Sequence, residues 1–328
     1  MQLRTRLCER LGIALPIVQA PIGSAPELAA AVSNAGGLGM LALTWTDKEG
    51  AADRIGRTRA LTELPFGVNL CLAFPIADQL SAALDAAVPV ISTFWGDPAG
   101  VAAEIRAAGA THLHTVGSPE EARAVVDCGV DAVVAQGWEA GGHVWGQVAT
   151  LPLVPAVVDA VSPVPVIAAG GIADGRGVAA VLALGAEAAW LGTRFLTASE
   201  APTHDDYREA ICRAHLNDTV HTTCFDGGWP HAPHRVLRND TLTSWEDAGR
   251  RRSPHRPGED DVVATDAGGR EVLRYADTTP HRGLHGSVLE MALYAGQSAG
   301  LVRETASAAD IVRSLADEAR AVFSSWAE

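Results

Sequence analysis

The sequence predicts an α/β fold, a (β/α)8 barrel with a smaller domain inserted before its C-terminal helices. Short apolar runs alternate with alanine-rich helical patterns, and one unit recurs about every two dozen residues. The apolar runs number eight, which is the strand count of this barrel. The alternation stops after about residue 198, where the chain becomes polar and rich in Pro, Gly, His, Asp and Arg.

The apolar runs are predicted to be strands at 17–22, 39–43, 66–70, 88–93, 111–116, 132–136, 164–169 and 188–195. Helices are predicted at 26–35, 47–61, 77–87, 98–108, 118–128, 152–161, 174–184 and 205–216. Ser118-Pro119-Glu120-Glu121 is typical of a helix start, with an N-cap serine, an early proline and acids in the first turn. A doubly wound sheet is the alternative, but no Gly-x-Gly-x-x-Gly follows the first strand.

Three regions follow from this pattern. The barrel is predicted to cover residues 1–200 and to bind a cofactor. Residues 201–285 are predicted to form a small insert over one mouth of the barrel, since they are too many for a bare loop in a compact domain. Residues 286–328 are predicted to form two helices, 287–295 and 308–326, that pack on the barrel.

Composition excludes several classes of function. The chain of 328 residues has 25 basic and 39 acidic side chains, a net charge of −14. Its one basic run, Arg250-Arg251-Arg252, lies in a polar segment, so the sequence predicts no nucleic-acid or membrane partner. Five scattered cysteines and the absence of a signal peptide or long apolar run predict a cytoplasmic protein. The single lysine, Lys48, lies in a polar helix start and argues against Schiff-base chemistry.

Glycines follow two consecutive strands near the end of the predicted barrel. Gly170-Gly171 ends the seventh strand and Gly192-Thr193 ends the eighth. In a barrel these loops are neighbours at the C-terminal mouth, where phosphate groups bind to main-chain N–H groups. Tight turns also use glycine, but two such turns on adjacent strands favour a phosphate site.

A titratable group follows the sixth strand, in the motif Gln136-Gly-Trp-Glu-Ala-Gly-Gly-His143. Histidine has its ordinary pKa near neutrality, and the mouth of a barrel is where catalytic groups lie. We therefore treat His143 as a candidate catalytic residue, with an exposed loop histidine as the alternative. Gln136 and Asn69, at the ends of the sixth and third strands, are candidates to bind a heterocycle, or else simply structural.

Two other features of the sequence bear on the predicted site. Pro21 cannot continue a central strand, so the backbone after Gln19-Ala20 turns across the mouth, where a planar ligand could lie. The spacing of Cys212 and His215, and of His221 and Cys224, is similar to that of zinc ligands. The first pair lies on a predicted helix with ordinary turn residues following it, so no metal site is predicted.

These motifs resemble those of the nitronate monooxygenase family, formerly called 2-nitropropane dioxygenases, along almost the whole chain. The matching segments are Gln136-Gly-x-Glu139-Ala-Gly-Gly-His143, Pro165-Val-Ile-Ala-Ala-Gly-Gly-Ile172, Gly192-Thr-Arg-Phe195, Gln19-Ala-Pro21, Gly67-Val-Asn69 and Gly296-Gln297. The resemblance implies an FMN-binding barrel with a second domain over the mouth. It assigns FMN phosphate to Gly170, Gly171, Gly192 and Thr193, the isoalloxazine ring to Ala20, Pro21, Ile22, Asn69, Gln136 and Gly142, and catalysis to His143.

The resemblance also implies the reaction, which is oxidation of an alkyl nitronate or nitroalkane by O2 to a carbonyl compound and nitrite. The alternative is an NAD(P)H-linked reductase of the enoyl-acyl-carrier-protein or quinone type on the same scaffold. The family often has methionine where this chain has Ile22, a change that bears on the substrate rather than on flavin binding. The sequence does not fix the oligomeric state, and a homodimer is one arrangement we consider.

Overall fold

The computed structural model describes residues 3–325. Its strands are β1 (Ile17–Gln19), β2 (Gly39–Ala42), β3 (Phe66–Cys71), β4 (Val90–Phe94), β5 (Thr111–Val116), β6 (Ala132–Gln136), β7 (Gly142–His143), β8 (Val166–Ala169), β9 (Ala188–Leu191), β10 (Thr219–Thr222), β11 (His234–Leu237), β12 (Val262–Asp266), β13 (Glu271–Leu273) and β14 (Leu284–Gly286). Its α-helices are α1 (Arg6–Leu11), α2 (Pro26–Asn34), α3 (Lys48–Leu61), α4 (Ala77–Asp85), α5 (Ala99–Ala107), α6 (Pro119–Asp127), α7 (Thr150–Val161), α8 (Gly175–Ala183), α9 (Thr193–Leu196), α10 (Asp205–Arg213), α11 (Asp240–Asp247) and α12 (Ala308–Ser325).

The predicted barrel is confirmed. Eight strands form one parallel sheet in the order β1-β9-β8-β6-β5-β4-β3-β2. The two ends of this sheet meet where Val18 of β1 bridges Leu38 in parallel, next to β2. The amides of Gln19 and Leu38 donate to the carbonyls of Leu38 and Ile17, at 2.9 Å each, so the ring closes. A closed ring excludes the doubly wound alternative.

The barrel strands are buried on both faces, which explains their continuous apolar sequences. One cluster, which includes Val134, Ile167 and Trp190, fills the interior, and α1 contributes Leu7 and Leu11 to it. Two further clusters pack the surrounding helices against the outer face of the strands. The core therefore fixes the strand ends, and with them the loops at the mouth.

The predicted helix starts are also confirmed. The Ser118 hydroxyl accepts a hydrogen bond from the Glu121 amide at the start of α6. Asp174 does the same for α8, accepting from the amides of Arg176 and Gly177. In the described part of the chain, no helix combines the length and apolar character needed to cross a membrane.

One predicted helix and some predicted strand ends were wrong. The eighth strand ends at Leu191 rather than at 195, because the chain turns at once into the short helix α9. Residues 287–295 form only a 3-10 turn at Val288–Glu290 instead of a helix. The rest of that segment is extended along β11, where the Leu237 amide donates to the Leu293 carbonyl at 2.8 Å and Val236 bridges Tyr294.

Beyond the barrel, two small antiparallel sheets form in the described residues. One has the order β13-β12-β14, and the other has the order β10-β11-β7. The strand β7 belongs to the loop after β6, so the second sheet joins the barrel mouth to the later part of the chain. The sequence did not predict this strand, because it is two residues long and lies among glycines.

Candidate active site

A cleft lies where the strands of the barrel end on their C-terminal side. Nine of the ten residues predicted to bind the cofactor line it, namely Ala20, Pro21, Ile22, Gln136, Gly142, Gly170, Gly171, Gly192 and Thr193. Later parts of the chain complete the lining with Tyr207, Thr279, Tyr294 and Ser298. Residues from the ends of five barrel strands and from the chain after the barrel therefore line one space.

The glycines after β8 and β9 leave main-chain donors exposed to this cleft. Gly170 and Gly171 have φ values of 103° and 72°, which side-chain-bearing residues rarely adopt. The N–H groups of Gly170, Gly171 and Gly192 donate to no acceptor among residues 3–325. Thr193 begins α9, so its N–H has no partner within the helix either. Unpartnered N–H groups in residues that line one cleft suit a phosphate.

The loop after β6 is held against the loop after β8. Both carboxylate oxygens of Glu139 accept from the Thr150 amide, at 3.1 and 3.0 Å. The Thr150 hydroxyl in turn donates to the Gly170 carbonyl at 3.0 Å. Glu139 thus positions the glycine loop after β8, which we call the cradle, rather than a ligand. The sequence motif did not reveal this role.

A close approach of two glycines, Gly141 and Gly296, fastens this loop to the C-terminal part of the chain. A side chain on Gly296 would lie 2.7 Å from the Glu139 carbonyl oxygen, and one on Gly141 would overlap the Gly296 amide. The Gly296 amide also donates to the Thr193 hydroxyl at 3.0 Å. The contact explains why glycine occurs in both segments, and the Gly296-Gln297 motif was the only signal of it in the sequence.

His143 lies beside the cleft but is not among its lining residues. Its strand β7 pairs with β11, where His143 is opposite His234. The Gln136 side chain donates to the His143 carbonyl at 3.1 Å and so fixes this strand to the barrel. The imidazole ring packs against Trp229 at 4.3 Å and Tyr294 at 5.3 Å between centroids.

The Nε2 atom of His143 is buried and has no hydrogen-bond partner among the described residues. Burial lowers the pKa of His143 to about 3, and the neighbouring His234 adds to the effect. His234 is itself satisfied, because its Nε2 accepts from the Phe225 amide and its Nδ1 donates to the Ala232 carbonyl. His143 is therefore a neutral imidazole whose Nε2 has no hydrogen-bond partner among the described residues, which is the form that a general base requires.

Asn69 is the predicted cofactor residue that does not line this cleft. Its side-chain amide donates to the hydroxyl of Ser92 on β4 at 3.2 Å, and the residue is buried. Its contact with a cofactor stays a prediction.

Two histidines of β5 and the cysteines of the zinc-like spacing have contacts with protein groups. His112 and His114 share one partner, since the Thr93 hydroxyl lies 2.8 Å from one ring and 2.7 Å from the other. Within residues 3–325 there is no group of three or more His, Cys, Asp or Glu side chains placed to hold a metal ion. Cys212 and Cys224 pack in different apolar clusters.

Comparisons with known proteins agree with this geometry. The family model for nitronate monooxygenase matches residues 4–80 and 72–318. The (3aS,4S,5R,7aS)-5-hydroxy-7a-methyl-1-oxo-octahydro-1H-indene-4-carboxyl-CoA dehydrogenase of Rhodococcus jostii (strain RHA1) is 40% identical over 256 residues, covering 76% of this chain and 70% of the relative. Nitroalkane oxidase from Streptomyces ansochromogenes has a TM-score of 0.81 and 34% identity, covering 98% of this chain and 100% of that one. FabK from Thermotoga maritima has a TM-score of 0.80 and 32% identity, covering 98% of both chains.

Proposed function

This chain belongs to the nitronate monooxygenase family, and we propose that it uses FMN to oxidise alkyl nitronates or nitroalkanes with O2, giving a carbonyl compound and nitrite. The observation that carries the proposal is the unpartnered Nε2 atom of His143, a neutral imidazole beside a cleft with free main-chain donors. The cleft would give such an oxidoreductase its cofactor site, and the adjacent imidazole would give it a proton acceptor.

The cleft residues fit a flavin mononucleotide. The free N–H groups of Gly170, Gly171 and Gly192, with the Thr193 hydroxyl, would hold the phosphate. Residues 20–22, Gln136 and Gly142 would lie along the flavin ring. A side chain on Gly142 would meet no atom within 4 Å, so the backbone there faces open space. When bound, the flavin supplies the redox chemistry, accepting electrons from the substrate and delivering them to O2.

The protein's own contribution is to move a proton and to exclude water. In the proposed reaction the His143 Nε2 takes the α-proton of a neutral nitroalkane. Burial disfavours the resulting imidazolium. The anionic nitronate that forms beside it in the same step would offset part of this cost, because opposite charges attract. The aromatic wall of Trp229, Trp95 and Tyr294 keeps the imidazole away from solvent. A nitronate supplied as the anion needs no base.

We also propose the division into a barrel over residues 1–200, an insert over 201–285 and a C-terminal part over 286–328. Tyr207 and Thr279 line the cleft, which supports a role for the insert in shaping the substrate space. In the same sense we propose a cytoplasmic protein with a small-molecule substrate, and a homodimer as the state to test.

A second candidate is an NAD(P)H-linked reductase, or a dehydrogenase acting on a thioester. The observation in its favour is the 40% identity to a protein whose name gives a carboxyl-CoA dehydrogenase activity. The same cleft and the same histidine would serve either reaction, since flavin enzymes differ chiefly in the partner that reaches the ring.

The deciding experiment is anaerobic reduction of the FMN-loaded protein with a propyl nitronate, NADH or NADPH. The proposal predicts that the visible flavin absorption is lost rapidly with the nitronate and slowly with either nicotinamide. Admitting O2 should then restore the absorption and yield nitrite. Rapid loss with NADPH and none with the nitronate would replace the proposal with the reductase.

A further inference from the structure

A second cavity, of about 870 Å³, is lined by residues between 221 and 256, none of which lines the cleft. We call it the arginine cavity, because Arg250, Arg251, Arg252 and Arg256 line it. Its acidic lining residues are only Asp226 and Glu246. A cationic cavity is unexpected in a chain of net charge −14, and nitronate oxidation gives it no role.

The existing carboxylates do not neutralise all four arginines. Arg256 is paired with Asp226 and Glu259, and Arg250 is paired with Glu246 at 2.8 Å. Arg251 donates only to a carbonyl, that of Ala248 at 3.2 Å. No ion pair forms between Arg251 or Arg252 and any carboxylate in the described chain. Two exposed guanidinium groups are thus available for an anionic ligand.

The backbone that carries these arginines is held in place by the end of α11. The Arg250 amide donates to the Trp245 carbonyl at 2.8 Å, and the Trp245 indole donates to the Arg251 carbonyl at 2.8 Å. Arg250 has a φ of 55°, a strained value for a residue with a side chain. Strain of this kind persists where surrounding contacts impose it, and it is frequent at ligand sites.

The opposite wall is the segment 227–231, which links the arginine cavity to the candidate active site. Gly228 and Pro230 line the cavity, while Trp229 between them packs on the His143 ring at 4.3 Å. A side chain on Gly228 would overlap the Asp277 carboxylate, so this wall is also tightly packed. A ligand in the cavity therefore lies one wall away from the catalytic histidine.

We propose that the arginine cavity binds the phosphorylated adenosine end of a nucleotide-bearing substrate or cosubstrate. Arg251 and Arg252 would bind its phosphates, and the volume suits an organic ligand rather than a lone inorganic ion. Coenzyme A and NADP⁺ share this chemistry, since each carries a diphosphate and a further phosphate on the adenosine ribose. The inference goes beyond the proposed function, because it concerns a separate site and holds for either candidate reaction.

The test measures binding to the FMN-loaded protein by calorimetry, so it does not depend on turnover. The ligands are coenzyme A, dephospho-coenzyme A, NADP⁺, NAD⁺ and inorganic pyrophosphate. The pairs to compare are coenzyme A with dephospho-coenzyme A, and NADP⁺ with NAD⁺. The pair in which loss of the ribose phosphate weakens binding shows which of the two nucleotides the cavity binds. The double variant Arg251→Ala, Arg252→Ala should weaken the binding of that ligand by about tenfold or more. The thermal unfolding temperature of the same variant should be unchanged, which shows that it is folded.

A matched control is the double variant Arg313→Ala, Arg320→Ala, which removes the same charge from the exposed face of α12. It should bind the nucleotide as the unaltered protein does. Equal affinity of the two double variants would overturn the proposal. Pyrophosphate binding as tightly as both nucleotides would also overturn it, since the adenosine would then contribute nothing. Failure of nitronate oxidation leaves this result unaffected, because no step of it is measured.

Discussion

The cleft and the arginine cavity are both proposed to bind an anion, but their hydrogen-bond donors differ. In the cleft the donors are main-chain N–H groups of Gly170, Gly171 and Gly192, fixed by barrel strands. In the cavity they are the exposed side chains of Arg251 and Arg252. Main-chain donors carry no net charge and cost little ordering, whereas side-chain donors are charged, mobile and screened by salt. The two sites should therefore respond to different perturbations.

His143 lies between the two regions, and its loss should have the largest effect. Replacing it by Ala should leave FMN bound and lower the turnover of a neutral nitroalkane by about 10²–10⁴-fold, because the proton acceptor is gone. His143→Gln, which keeps more of the side-chain volume, should behave in the same way. Steady-state nitrite release measures both.

The internal control uses the same variants with a nitronate supplied as the anion. That substrate needs no base, so its turnover should fall far less. Equal losses with the two substrates would show that His143 positions the substrate and does not act as the base.

Gly171→Ala should separate the cleft from the cavity. Its new Cβ would lie 2.9 Å from the Glu139 side chain at a φ of 72°, so the loop must shift and its N–H must move. The loss of about one charge-assisted hydrogen bond, roughly 2 kcal/mol, should weaken FMN about thirtyfold. Fluorescence titration with FMN measures this, and nucleotide binding at the arginine cavity should not change.

Gly269→Ala is the matched control for that variant. Gly269 has a similar φ of 82° and nothing within 4 Å of its added Cβ, so it carries the same backbone strain far from the cleft. It should retain FMN. Equal flavin loss in the two variants would mean that strain alone, and not the cradle, caused the effect.

Salt should change the binding affinities of the two sites to different extents, an effect smaller than those of the substitutions above. Raising the ionic strength from about 0.1 M to about 1 M shortens the Debye length from roughly 10 to 3 Å. Nucleotide binding at exposed arginines should weaken severalfold, and FMN binding should change much less. A larger salt effect on FMN than on the nucleotide would reverse the assignment of side-chain and main-chain donors.

Mild acid should destabilise the barrel mouth gradually. Burial lowers the pKa values of His112 and His234 to about 4, and those of His114 and His143 to about 3. The unfolded chain binds these protons near pH 6.5 and the folded chain does not, so stability is complete above about 6.5 and falls as the pH drops towards 4. Thermal unfolding at pH 7 and pH 5 measures this loss.

The slope of stability against pH shows whether the buried histidines cause this loss. His114→Gln removes one buried imidazole and should make the dependence on pH shallower, whereas His255→Gln changes an exposed one and should not. An unfolding temperature that rises between pH 7 and pH 5 would contradict the assignment of buried neutral histidines.

The same contrast explains what the sequence could predict. Glycines that follow apolar strands, such as Gly170 and Gly192, mark a main-chain site because their spacing and neighbours are local. The contact of Gly141 with Gly296, and the strand β7 that carries His143, depend on chain segments more than 90 residues apart. Arg250-Arg251-Arg252 was visible as a basic run, but its cavity forms only when residues 221–231 pack opposite it. The extended segment 291–295 was predicted as a helix, since its pairing partner β11 lies more than 50 residues earlier in the sequence.

Main-chain donors after β8 and β9 are proposed to hold a mononucleotide phosphate, and a comparison of FMN with riboflavin tests this proposal. The two differ only by that phosphate. Titration of flavin-free protein should show FMN binding on the order of 1,000-fold more tightly, the equivalent of about two charge-assisted hydrogen bonds of roughly 2 kcal/mol each, with much of that preference lost in Gly171→Ala. Equal affinities for FMN and riboflavin, with or without the substitution, would contradict the account.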